Sequence, residues 1–346
     1  MSHSELVAAI RDLLGDGEAW LVGGAVRDEL LGRPVVDVDV ACRAPREAAE
    51  AFSIRRGGKV FPLSERHGAW RLAYRDGRTV DFTPLPDGIE QDLATRDFTI
   101  NAIARPLAGG GDVDPFGGRR DLETGKVRAV RDSVFADDPL RLLRAVRFEQ
   151  ELGFVLDPDT ETLVRRDAGL VTRPAGERIL GELVQLDARS LRRLDELGLL
   201  EPLGGTLERL DRVEGRSPEL RLVAVFGPAL ERLPVSNELR RYARTLLRAE
   251  LPPDLSARSV HRFRRVAEPW ALDAAALLGG GDELEAAIAK ARADEPAAPL
   301  VRGDELGLPP GPEIGRLLEL IAEERAAGAL STKEEALDLV RREQGR

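Results

Sequence analysis

Two aspartates one residue apart, Asp37 and Asp39 in VVDVDVA, carry the first chemical signal of this chain. Alternate residues of a strand point to one face, so both carboxylates face the same side, close enough to hold a divalent metal between them. Upstream, Gly23-Gly24 follow the apolar run Trp20-Leu21-Val22 and precede a helix carrying Arg27. Paired carboxylates beside a glycine turn and an arginine supply what metal-dependent transfer from a nucleoside triphosphate requires. Asp81, between Val80 and Phe82 on a neighbouring strand, is either a further catalytic carboxylate or an ordinary edge-strand acid.

Two later segments add chemistry. In TRDFTINAIA, residues 95–104, Arg96 and Asp97 precede an expected helix with Thr99 at its start and Asn101 in its first turn. Helix N-termini attract phosphate and an arginine grips it bidentately, although an ordinary N-cap with a solvated arginine reads the same way. In FADDPLRLLRAVRF, Asp138 and Arg141 are expected one helical turn apart, with Arg144 and Arg147 continuing at steps of three. Each step drifts about 60° around a helix, so neighbours touch but Asp138 and Arg147 do not share a face. The plain alternative is a solvated i,i+3 salt bridge of about 0.5 kcal/mol or less.

The elements that must position these groups read as α/β over residues 19–85. Strands are expected at Trp20–Val22, Val35–Ala41, Lys59–Pro62, Ala69–Tyr74 and Thr79–Pro84, with helices after Gly24 and Pro45. WRLAYRDGRTVDF is a hairpin turning at Asp76-Gly77. Helical segments follow at Ile89–Ala94 and Thr99–Ala104. DPFGGRRDLETGK turns into a short helix, and Val127–Val130 is extended. From Asp137 onward apolar residues recur at spacings of three and four, which predicts an all-helical remainder.

Composition bounds the function. The chain has 346 residues, 42% hydrophobic and 32% charged, enough for a sizeable core and two or more domains. No apolar run approaches the roughly 18 residues of a membrane span, and the N-terminal segment reads as an amphipathic helix without a signal-peptide core. Cys42 is the only cysteine, excluding an internal disulfide and a cysteine zinc site. The cytoplasm is the expected location. The net charge of −10 argues against broad nonspecific nucleic-acid binding, but arginine far outnumbers lysine and suits phosphates and base edges.

GGAVRDELLGRPVVDVDVA, RDFTINAIA, DPFGGRRDL and DDPLRLLRAVRF, in this order over roughly residues 19–190, resemble the class II tRNA nucleotidyltransferases, whose head is shared by bacterial poly(A) polymerases. LGLPPGPEIGRLLELI resembles the tail of bacterial members. The resemblance implies an α/β, polymerase-beta-like head with a mixed sheet, followed by an all-helical neck, body and tail. Mapped here, the head is 1–134, the neck 135–190, and a tRNA-binding body and tail 191–346. It implies that Asp37 and Asp39 bind Mg2+ and that Gly23, Gly24 and Arg27 form the triphosphate loop. Arg96, with Asp97 and Asn101, matches the RRDFTxNA motif. Asp138 and Arg141 match the EDxxR pair that templates the incoming base, and Arg144 and Arg147 the nucleotide-contacting arginines of the same helix. Thr95 and Asp137 depart from the usual arginine and glutamate.

The template has a chemical logic. Aspartate only accepts hydrogen bonds and arginine only donates. Cytosine and adenine both offer an exocyclic amine and a ring acceptor; guanine and uracil reverse the order. Each mismatch buries unpaired groups at about 1–3 kcal/mol. Such a pair suits CTP and ATP, as addition of CC or CCA to the tRNA 3′ end requires.

The rivals are a bacterial poly(A) polymerase, against which the lack of a long basic C-terminal extension argues, and a silent RNA-binding protein, against which the intact Asp37, Asp39, Arg96, Asp138 and Arg141 argue. With His3, His67 and His261 the only histidines, no His-Asp pair exists for the metal-dependent phosphohydrolase domain fused to some members. Arg240, Arg241, Arg244 and Arg248, and Arg258, Arg262, Arg264 and Arg265, are expected phosphate contacts or solvated faces. Members adding all three nucleotides carry a long loop between the head sheet and RRDFT, shortened in CC-adding members. Here only FTPLPDGIEQDLAT separates Asp81 from Arg96, which favours CC addition unless Leu63–Gly68 or Leu107–Val113 serves as the lever.

Overall fold

The computed structural model describes residues 3–14, 18–35, 37–64 and 68–344. Its sheet is built around the DxD strand. β1 (Ala19–Val22), β2 (Asp37–Cys42), β3 (Lys59–Ser64), β4 (Ala69–Ala73), β5 (Thr79–Pro84) and β6 (Ala104–Pro106) lie in the order β3-β4-β5-β2-β1-β6. Only β2 and β5 run parallel; the other pairs are antiparallel, so the sheet is mixed. The helices of this region are α1 (His3–Leu14), α2 (Gly24–Leu30), α3 (Pro45–Arg56), α4 (Ile89–Ala94) and α5 (Gly118–Thr124). α3 covers β3, β4 and β5, and α2 packs on β1 and β2. Beneath α3, Phe52 and Phe82 meet fully buried with ring centroids 6.4 Å apart. That packing anchors the central strands that carry the acids.

The stretch expected as a helix over Thr99–Ala104 is instead one 3-10 turn, Thr99–Asn101, followed by β6. Ala104 pairs with Val22 across the sheet, and the tertiary pairing overrides the helical reading of so short a segment. The DPFGG turn has a structural role. Asp114 accepts the N–H groups of Gly118 and Arg119 at 2.7 and 3.0 Å, capping α5. A Cβ at Gly118 would lie 2.1 Å from the carbonyl oxygen of Thr99, so only glycine lets α5 approach the 3-10 turn.

After β7 (Lys126–Val127) come α6 (Val134–Asp137), α7 (Arg141–Leu152), β8 (Val155–Leu156), α8 (Pro158–Asp167), α9 (Gly176–Leu183) and α10 (Ala188–Glu196). β7 and β8 form a small parallel pair. The remainder is helical: α11 (Pro218–Phe226), α12 (Asn237–Arg248), α13 (Ala257–Ala267), α14 (Ala271–Leu278), α15 (Gly281–Ala293), α16 (Pro312–Ala326) and α17 (Lys333–Gln344). Two compact units result, Met1–Glu182 with Arg193–Pro202, and Leu183–Arg192 with Leu203–Arg346. The expected head–neck division at 134 falls inside the first unit. In the second, Val301, Leu306, Leu317, Ile321, Leu330, Ala336 and Val340 form a core around α16 and α17. No described helix is long and apolar enough to cross a membrane.

Candidate active site

Along β2, Asp37 is exposed, Val38 buried and Asp39 half-buried, so both carboxylates stand on one face. β1 places Val22 opposite Asp39, and the chain therefore leaves the sheet at Gly23 beside that acid. Gly23 has φ 68°, and a Cβ there would lie 2.7 Å from Arg96 Nη1 and 3.2 Å from Asp39 Oδ2. The glycine serves both the left-handed turn and the close approach. α2 begins at Gly24, and its buried Arg27 sits one turn in, with its backbone N–H on the Gly23 carbonyl at 3.2 Å. The Arg27 guanidinium donates to Asp28 at 2.9 and 3.0 Å and to Asn101 Oδ1 at 2.9 Å.

Asp37 accepts a hydrogen bond from Thr79 Oγ1 at 2.8 Å. Burial of its carboxyl pushes Asp39 up to about 6; Arg96 works against this, and the neighbouring charges of Asp81 and Asp37 add to it. A carboxylate crowded by burial and like charge is one that a divalent cation would relieve. Two hard oxygen donors suit Mg2+, which is commonly held by one or two carboxylates plus substrate phosphates. Among the described residues no three His, Cys, Asp or Glu side chains converge on a metal position, so nucleotide oxygens and water would complete the shell. The donor set thus fits a nucleotide-borne Mg2+.

Asp81 lies opposite Asp39 on β5, next to the acid pair. Its two oxygens are gripped by Arg71, directly across on β4, with Nε–Oδ1 2.7 Å and Nη2–Oδ2 2.6 Å. Asp81 bears on Asp39 through its charge, while Arg71 occupies both its oxygens.

Asp97 is a buried hub. Its Oδ1 accepts the Phe98 N–H at 2.8 Å and Asn101 Nδ2 at 2.9 Å; its Oδ2 accepts Arg144 Nε and Nη2 at 2.9 and 2.8 Å. Burial opposes the charge, but Arg144 and these hydrogen bonds hold Asp97 below the usual carboxylate range. Asn101 joins this hub to Arg27. Arg96 pairs with Asp92 at 2.9 Å and keeps Nη1 near Gly23.

The segment of Asp138 and Arg141 departs from the sequence expectation. Asp138 is extended, φ −144° and ψ 96°, and α7 begins only at Arg141. Pro139 follows Asp138, and a residue before proline is disfavoured in the α region. Freed from the helix, Asp138 lines the same cleft as Arg141, Arg144 and Arg147, which a continuous helix would have spread around its surface. Asp138 pairs with Arg178 rather than with Arg141. Arg141 donates to the Thr95 carbonyl at 2.8 Å and to the Val134 carbonyl at 3.4 Å; burial lowers its pKa. Thr95, one of the two departures from the family motif, thus serves through its backbone. Asp137, the other, is bonded to Ser133 and Arg131 outside the cleft.

Arg147 pairs with Glu182 at 2.7 Å and Glu151 at 2.5 Å. Arg27, Arg144 and Arg147 all lie over the Phe148 ring, at 5.2, 5.2 and 4.5 Å from its centroid. Phe148, Arg178 and Glu182 were not singled out from sequence; Phe148 is a buried apolar position of α7, and α9 follows α7 by a long interval. The cleft, about 720 Å³, is lined by seven arginines (Arg27, Arg33, Arg96, Arg141, Arg144, Arg147, Arg178) and six acids (Asp28, Asp37, Asp39, Asp97, Asp138, Glu151). All the nucleotide-site residues expected from sequence reach it except Asp81. A larger cavity of about 910 Å³ lies among α13, α15 and α16, lined mainly by Ala, Pro, Leu and Val.

Segments between Asp81 and Arg96 are pinned. The Leu85 N–H donates to the Cys42 carbonyl at 3.1 Å, and Leu85, Ile89 and Leu93 pack in a core with Val22, Ala41, Ala102 and Ala104. Leu63–Gly68 includes residues 65–67, which lie outside those described.

Comparisons with known proteins bear on the family and the fold. Residues 19–85 and 71–128 match the Poly A polymerase head domain family. The chain is 33% identical to the A-adding tRNA nucleotidyltransferase of Deinococcus radiodurans over 94% of its own length and 95% of the relative. It is 32% identical to the CC-adding tRNA nucleotidyltransferase of Thermus thermophilus over 92% of each chain. Its fold is similar to the crystal structure of Bacillus stearothermophilus CCA-adding enzyme in complex with CTP, with 28% identity, TM-score 0.74, and coverage of 100% of this chain and 98% of that one.

Proposed function

This chain belongs to the tRNA nucleotidyltransferase family, and we propose that the cleft of its first unit transfers nucleotides from CTP, and where competent ATP, to the tRNA 3′ end. The observation that carries this reading is the meeting of three groups in one cleft: the Asp37–Asp39 pair, the Gly23–Arg27 loop, and Asp138 with Arg141. Asp37 and Asp39 would hold Mg2+, whose Lewis acidity would serve both the primer 3′-hydroxyl and the leaving pyrophosphate. Gly23 keeps the loop low enough for the triphosphate to approach both the acids and Arg96. Arg96 grips the phosphates, and the Arg27–Asn101–Asp97–Arg144 chain fixes the loop against the reading helix. Asp138 accepts from the exocyclic amine of C or A, and Arg141 donates to the ring acceptor. No nucleic-acid template is needed because the protein supplies the complementary edge. The reaction belongs where tRNA matures, in the cytoplasm.

The relatives add different bases, so the choice rests on this chain. Switching the pocket from cytosine to adenine needs an element free to move. Leu85 and Ile89 are both buried, which leaves Pro86, Asp87 and Gly88 as the slack between them. We therefore assign CC addition. The test uses tRNA ending before CCA and tRNA ending in CC, each with CTP, ATP or both, with sequencing of the 3′ ends. CC-terminated products and slow ATP incorporation are expected. Efficient CCA synthesis by the protein alone would refute CC specificity while leaving the family reaction intact.

A further inference from the structure

α9 lies outside every motif that the sequence ties to chemistry, yet two of its side chains hold both ends of the reading edge. Arg178 donates to Asp138 through Nη2–Oδ2 at 2.8 Å and Nη1–Oδ1 at 3.3 Å. Glu182, four residues later and so on the same helix face, accepts from Arg147 at 2.7 Å and lies 3.8 Å from Arg144. Glu182 is buried, which fixes α9 relative to α7. A second donor, the Leu140 N–H, reaches Asp138 Oδ1 at 3.2 Å.

A carboxylate offers about four lone-pair sites. Arg178 Nη1, Arg178 Nη2 and the Leu140 N–H take three of those on Asp138. About one acceptor site remains, and an incoming base brings one exocyclic amine to the same edge. We propose that Arg178 is a specificity-determining positioning residue, which fixes the plane of the Asp138 carboxylate so that its last free site meets only a base carrying an amine. The inference rests on the reading of Asp138 as base reader. With Arg178 in place, a base presenting a carbonyl meets a carboxylate that cannot rotate away. Without it, the carboxylate turns toward water and the mismatch costs less.

The test measures kcat/KM for CTP and UTP separately, on tRNA lacking CCA, for wild type, Arg178→Ala, Arg178→Lys, Asp138→Ala and the Arg178→Ala/Asp138→Ala double variant. The Arg178 side chain is 52% exposed, so its truncation leaves the core untouched. Arg178→Ala is expected to lower the CTP-to-UTP ratio about tenfold, by raising KM for CTP as the aligned charge-assisted hydrogen bond is lost and by easing the penalty on UTP as the carboxylate turns away. Arg178→Lys keeps a charge without the fork and should recover only part of the ratio. In the Asp138→Ala background, removing Arg178 should leave the ratio within about twofold, because the two residues act as one unit. An unchanged ratio in Arg178→Ala, an equal loss for both nucleotides, or the same ratio change without Asp138 would overturn the proposal. If wild type adds neither C nor A, the functional reading itself falls, a result distinct from any of these.

Discussion

The arginines of α7 and those of α13 follow similar spacings in sequence and meet opposite fates. On α7, Arg144 and Arg147 reach a cleft in which buried acids and the Phe148 ring share them. Their partners Asp97 and Glu182 have side chains only 8% and 9% exposed. On α13, Arg258, Arg262 and Arg265 each pair with a glutamate of α16, namely Glu324, Glu323 and Glu319. These pairs lie at the surface, where each contributes about 0–1 kcal/mol. One ladder lines a cleft and is held there by scaffold acids; the other is a charge staple between helices. An arginine run therefore does not by itself mark a phosphate surface. What distinguishes the two is where the acid partners sit: buried on separate segments around a cleft for α7, in one row along a single helix, α16, for α13.

The largest expected effect lies in the cleft. Asp39→Ala should lower nucleotide addition by about a thousandfold or more, since it removes half of the pair proposed to hold the metal. Thermal melting and tRNA affinity should stay near wild type. Activity within tenfold of wild type would mean that the pair does not hold the catalytic metal. On the other side of the comparison, Glu323→Gln should leave addition within about twofold, as for any exposed pair.

Gly23→Ala comes next. It imposes the left-handed turn on alanine, at about 1–2 kcal/mol, and drives a methyl into Arg96. We expect KM for CTP to rise about tenfold with a smaller change in kcat, because the proposed function gives the loop and Arg96 the triphosphate. An unaltered KM would show that Arg96 can move without consequence.

Buried Asp97 also gives the cleft a pH signature. Asp97 titrates below its ordinary value because Arg144 and its hydrogen bonds outweigh burial. A depressed folded pKa means stability present above the unfolded value near 3.9 and lost as pH falls through the folded one. The wild-type melting temperature should therefore drop as pH falls below about 4, and Asp97→Asn should melt lower at neutral pH with a shallower acid slope. Parallel slopes in the two proteins would remove Asp97 from the account.

Much of this was legible in the sequence, and the exceptions have physical causes. β2 and β5 announce themselves by alternation, and Gly23 by its place after an apolar strand. Asp138 was misplaced in a helix although Pro139 already argued for an extended residue before it. Arg178 and Glu182 left no signal, because their roles depend on α9 returning to α7, a tertiary event without local pattern. Asp81 was readable as a neighbour of Asp39, but its capture by Arg71 depends on the exact register of β4 against β5. The arginines of α13 were indistinguishable from those of α12 until α16 supplied its glutamates.

That last difference yields the smallest and most selective effect. Among the described residues no carboxylate pairs with Arg241 or Arg248 of α12, and Arg241 lies over the Trp270 ring at 5.4 Å. α12 therefore presents exposed cation where α13 presents neutral pairs. Replacing both Arg241 and Arg248 by alanine should weaken tRNA binding severalfold and reduce the slope of log affinity against log salt by about 1–2, as the loss of phosphate contacts predicts. Replacing Arg258 and Arg262 should leave that slope unchanged within about 0.3, because their charge is already cancelled by glutamate. Filter binding of tRNA across a salt series measures both. Equal slopes for the two double variants would erase the distinction between the helices, and a larger loss from α13 would reverse it, showing that the glutamates of α16 release their arginines when RNA arrives.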